Sequence, residues 1–108
     1  MLNVKKLNKE EKELLFAIKD IADMPQSNDH DATAKYIEGF NKTVTNVCDL
    51  MEQFNHKTYL FLGIEDVRRL LNMYVNSKDY ENRLLLSDII VNKYINNYYC
   101  NLYDYLEK

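Results

Sequence analysis

The stretch from 79 to 107, DYENRLLLSDIIVNKYINNYYCNLYDYLE, decides the fold. It is a long run without Gly or Pro that keeps a helical period, and it predicts one C-terminal helix over 79–107. Its first half is apolar nearly all round, through Leu84, Leu85, Leu86, Ile89, Ile90 and Val91. A helix apolar on every side needs cover from several neighbours. In its second half Ile95, Tyr98, Tyr99, Leu102, Tyr105 and Leu106 fall on one side, while Asn92, Asn96, Asn97, Cys100, Asp104 and Glu107 fall on the other. At 1.5 Å per residue such a helix reaches about 42 Å, longer than any partner the sequence offers, so its far end is expected to be exposed, bent or covered by another chain.

Upstream, three shorter amphipathic patterns can enclose that helix. Asn8 and Glu11 have the side chains of a capping box, with Leu7 as the preceding staple residue, and predict a helix over 8–24. Leu14, Leu15, Ile18, Ile21 and Ala22 form its stripe, and Pro25 ends it. The loop 25–31, PQSNDHD, leads to a second helix over 31–54, capped by Asp29 or Asp31. Its stripe is Ile37, Phe40, Val44, Val47, Met51 and Phe54; Gly39, inside it, is read as having no packing role. A third helix is expected over 58–76, from Thr58, or from Ile64 if Gly63 belongs to a loop, with Ile64, Val67, Leu70, Leu71 and Tyr74 on its inner face. Ser77 or Asp79 then caps the last helix.

These four helices with short connections predict an all-α, four-helix up-down bundle with a long C-terminal helix, residues 1–108 forming a single domain. Two glycines and one proline are too few for the turns of a β-sandwich or barrel. Hydrophobic residues at 46% and charged residues at 29% suit a globular chain. No apolar run approaches the length of a membrane span, and no secretory signal is read at the N-terminus. Cys48 and Cys100 lie on different predicted helices without metal-binding spacing, so both are expected as reduced thiols in a cytoplasmic protein.

Motifs that would carry chemistry are weak. His30 sits between Asp29 and Asp31, but an EF-hand starting there would need Gly and Glu where the chain has Ala34 and Phe40. His56 and Cys48 have no matched metal partners, no phosphate loop or nucleophile motif is seen, and Asn41-Lys42-Thr43 is a glycosylation triplet in mid-helix. No cofactor, metal or catalytic activity is expected. A net charge of −3 disfavours nucleic acid, although Arg68, Arg69 and Arg83 could meet phosphate and the tyrosines could stack on bases. Asp88, placed by period among Leu84, Val91 and Ile95, would be a buried carboxylate, for which Arg68 or Arg69 is the expected counter-ion.

The conspicuous feature is the group Tyr94, Tyr98, Tyr99, Tyr103 and Tyr105. Tyrosine combines large apolar area, a polar tip and little rotamer entropy, which is why it is enriched at interfaces. The sequence therefore points to a small non-enzymatic protein-binding module, such as an inhibitor, immunity-type or adaptor protein, with Tyr98, Tyr99, Leu102 and Tyr105 as partner-binding residues. The alternative is a structural or regulatory homodimer in which two last helices cover each other, with nucleic-acid binding a weaker third reading. Frequent Asn, Lys, Ile and Tyr suit an AT-rich bacterial, phage or viral coding sequence.

Overall fold

The computed structural model describes residues 3–22, 34–54 and 60–107. After a short 3₁₀ turn at Val4–Lys6, the described elements are α1 (Lys9–Ala22), α2 (Ala34–Gln53), α3 (Ile64–Asn76), α4 (Tyr80–Asp88), a π-helical segment (Ile89–Ile95) and α5 (Asn96–Glu107). The last three run on without a break, so the long C-terminal helix is present but not uniformly α-helical. The described residues contain no strand.

Local chemistry sets the visible ends. The Glu11 amide donates to Asn8 Oδ1 at 2.8 Å and the Asn8 amide to Glu11 Oε1 at 2.9 Å, a closed capping box that satisfies donors the first turn would leave unpaired. Gly63, at φ 91°, precedes α3, so that helix begins at Ile64 with Glu65 and Asp66 against its positive end. Asp79 caps α4 by accepting from the Glu81 amide, while the Ser77 hydroxyl accepts from the Asp79 amide. The expected loop 25–31, the caps Asp29, Asp31 and Thr58, and both histidines lie outside the described residues.

Each helix packs on its predecessor, and α5 returns to α1, which closes the four-helix up-down bundle. The last helix is covered in two stages: α3 packs on α4, α1 packs on α5, and both reach the π segment. Its excess length is therefore shared between two shorter neighbours set at different heights, in a body 43 Å long. The tyrosine-bearing end does not run past its cover. The core joins Leu14, Ile18 and Ile21, Phe40, Val44, Val47 and Met51, Val67, Leu71 and Tyr74, and Ile90, Ile95, Tyr98 and Leu102, all nearly or fully sealed from solvent. Each fully buried aliphatic side chain contributes roughly 1.5–3 kcal/mol.

The π segment changes which residues of the last helix point inward. Its widened turn is marked by the Asn96 amide donating to the Val91 carbonyl, five residues back. Arg83, Leu86 and Ser87 are buried before the π segment, Ile90, Val91 and Ile95 within it, and Tyr98 and Leu102 after it. In an unbroken α-helix Asp88 would share a face with Val91 and Ile95, which is the basis on which it is expected in the core. Absorbing one residue in the wide turn moves the inner face of α4 onto the Arg83–Ser87 side, and Asp88 faces solvent.

Candidate protein-binding surface

Tyr98 is the best-anchored tyrosine of the last helix. Its hydroxyl donates to the Leu62 carbonyl at 2.7 Å, its ring meets Phe61 edge-on with centroids 5.8 Å apart, and Tyr94 lies beside it at 6.3 Å. Nearby, Asn101 Nδ2 donates to the Leu60 carbonyl at 3.1 Å. The turn before α3 is thus held against α5 at two carbonyls. A Cβ on Gly63 would come within 3.0 Å of Tyr94 Cε1, so Gly63 provides both the left-handed backbone and the space for this contact. Burial holds the Tyr98 phenol neutral well beyond its ordinary range, with Cys48, Tyr94 and Asp66 acting in the same direction.

These contacts correct half of the expected binding set. Tyr98 is 1% exposed and Leu102 0%, so neither has surface to offer a partner while the bundle is intact. Their assignment fails because α1 and the 60–63 turn cover the end of the helix that the sequence leaves open. Tyr99 and Tyr105 are half-buried against the core edge. Tyr103, outside the expected set, joins Tyr99: their centroids are 6.0 Å apart at 32°, with both residues partly open to solvent. The signal for Tyr103 is its position four residues after Tyr99 on one helical face. Tyr94 is also half-buried, and the Lys93 ammonium lies 5.6 Å from its ring centre.

The expected ion pair is not formed. Arg68 donates from Nη2 to Asp49 Oδ1 at 2.8 Å and from Nε to Glu52 Oε1 at 3.1 Å, bridging α3 to α2. Arg69 reaches Asp66 at 3.6 Å within its own helix. Asp88 is exposed and accepts from Asn92 Nδ2, and Asn96 continues this ladder to Asn92 at 3.2 Å. Among the described residues the buried charged side chain is Arg83, 6% exposed, whose Nη1 donates to the Ser77 carbonyl at 3.0 Å. Two of the cations that could have met phosphate, Arg68 and Arg83, thus have protein partners.

Little else gathers reactive groups. Cys48 is buried and Cys100 exposed, both as free thiols. Burial pushes the Cys48 thiol up to about 11, against a smaller opposing pull from Arg68. Among the described residues no group of three His, Cys, Asp or Glu side chains is arranged to hold a metal ion. An open groove of about 230 Å³ runs between α2 and α3, lined by Asn41, Thr45, Arg68, Leu71, Asn72 and Val75; the guanidinium on its wall is already held by two carboxylates. No described helix is long and apolar enough to cross a membrane. Comparison with known protein families, curated proteins and solved structures finds no match.

Proposed function

We propose that this chain is a small non-enzymatic protein-binding module, of the inhibitor, immunity-type or adaptor kind, and that it engages a partner through Tyr99 and Tyr103 on α5. The observation that carries this reading is the Tyr99–Tyr103 pair: two half-buried rings 6.0 Å apart, beside the core-facing stripe of their helix. Rings restrained in this way present large apolar area and two hydroxyls, and little side-chain freedom remains to be lost on binding. A reducing, cytoplasmic setting suits the two free thiols.

The test pairs solution mass with a double substitution. A concentration-independent monomer that captures a protein from its native host, and loses it in the folded Tyr99→Ala/Tyr103→Ala variant, supports the reading. Undiminished capture by that variant removes this surface from the proposal. A stable dimer broken by the same changes would replace it with self-association.

A further inference from the structure

We propose that the π segment Ile89–Ile95 is a phase adapter, a place where the last helix stores one extra residue so that its two halves can serve two different neighbours. Arg83 and Leu102 are both buried and lie nineteen positions apart. At about 100° per residue, nineteen steps of plain α-helix leave them about 100° out of register, whereas eighteen steps are five whole turns. An uninterrupted helix seated on α3 through Arg83, Leu86 and Ile90 would bring Asn101, not Leu102, into phase with Arg83. The side of α5 in phase with Arg83 would then hold Asn97 and Asn101 in place of Tyr98 and Leu102. The wide turn closed by the Asn96 amide and the Val91 carbonyl removes that error.

The adapter therefore determines which tyrosines are core and which are surface. Its inner residues Ile90, Val91 and Ile95 are buried, while Asn92 and Lys93 between them are exposed. The stored residue is thus located where its removal takes nothing from the core. Without either Asn92 or Lys93, Arg83 and Leu102 lie eighteen positions apart, and the buried positions between them keep α-helical spacings of three and four. Deleting Asn97 instead, also exposed, shortens the helix equally but leaves Ile95 and Tyr98 two positions apart, on opposed faces.

The experiment compares the full-length chain with three single-residue deletions, of Asn92, of Lys93 and of Asn97, by thermal unfolding and by the near-ultraviolet circular dichroism of the tyrosines. At least one of the first two deletions should keep the tyrosine signal and a midpoint within about 5 °C of the parent or above it, while deletion of Asn97 lowers the midpoint by more than about 10 °C or prevents folding. One retained variant suffices, because each deletion also removes its own surface contacts. Equal damage from all three, or equal tolerance of all three, would overturn the adapter.

Discussion

Tyr98 and Leu62 are joined by a hydrogen bond between residues thirty-six positions apart, phenol to backbone carbonyl at 2.7 Å. This bond fixes the turn before α3 to the face of α5. Tyr98→Phe keeps the ring and deletes the donor, and should cost about 1 kcal/mol, a fall of roughly 4–8 °C in Tm. Tyr98→Ala also empties the space beside Phe61 and should cost about 3–5 kcal/mol. A Tyr98→Ala protein as stable as the parent in urea titration would show that the ring is not core.

The two glycines should respond in opposite directions to the same change. Gly63→Ala forces a side chain into the left-handed region with its Cβ 3.0 Å from the Tyr94 ring, so a loss of at least about 1–2 kcal/mol is expected. Gly39 is inside α2 with nothing within 4 Å of an added Cβ, so Gly39→Ala should gain about 0.5–1 kcal/mol. Matched denaturant titrations decide the signs, and a stabilised Gly63→Ala would contradict the packing described.

Alkaline pH should loosen the bundle. Burial raises the Cys48 thiol from 9.0 to about 11, and burial, with Tyr36 adding to it, raises the Tyr74 phenol from 10.0 to about 12. Folded values above unfolded ones mean that the unfolded chain binds fewer protons, so this stability is intact below pH 9 and is lost as pH rises toward 12. For Cys48 alone the loss approaches about 3 kcal/mol, and Cys48→Ala should flatten that part of the stability-versus-pH curve. At pH 8 a thiol reagent should modify Cys100 promptly and reach Cys48 only after denaturation; two fast thiols would refute the burial of Cys48.

Neither Asp88 nor Arg68 should carry much stability. Arg68 and its carboxylates are 34%, 55% and 54% exposed, and solvent screens pairs of that kind. Arg68→Met should cost under about 1 kcal/mol, less still in concentrated salt. Asp88→Asn should change stability by no more than about 0.5 kcal/mol. A loss several times larger at Asp88 would restore the buried pair expected from periodicity.

The three stripes ahead of the last helix are legible because each is a single phase of a single period: Leu14 to Ile21, Phe40 to Met51 and Val67 to Tyr74 all face inward as their spacing predicts. The Asn8–Glu11 box and the Asp79 cap were equally readable, since a cap is local chemistry. The last helix was harder because Leu84 to Val91 is apolar on most sides, which hides where its inner face lies. From Leu84 through Asp88, Val91, Ile95 and Tyr98 to Leu102 the spacing is that of an unbroken α-helix, so it places Asp88 inward and does not announce the π turn. Tyr98 and Leu102, expected at a partner surface, are core for a different reason. Their cover comes from α1 and from the 60–63 turn, contacts remote in sequence that periodicity does not reveal.

The pairing of α1 with α5 also sets the order in which the molecule can assemble. Pairings of α1 with α2, α2 with α3 and α3 with α4 join neighbours along the chain, so they close small loops and are entropically inexpensive. The α1–α5 contact spans most of the sequence. During synthesis Leu14, Ile18 and Ile21 emerge early, yet the side of α1 that meets Ile95, Tyr98 and Leu102 stays uncovered until α5 has been made. A nascent chain halted before α5 therefore carries an open apolar seam on its first helix, the kind of surface that chaperones hold and aggregates grow from.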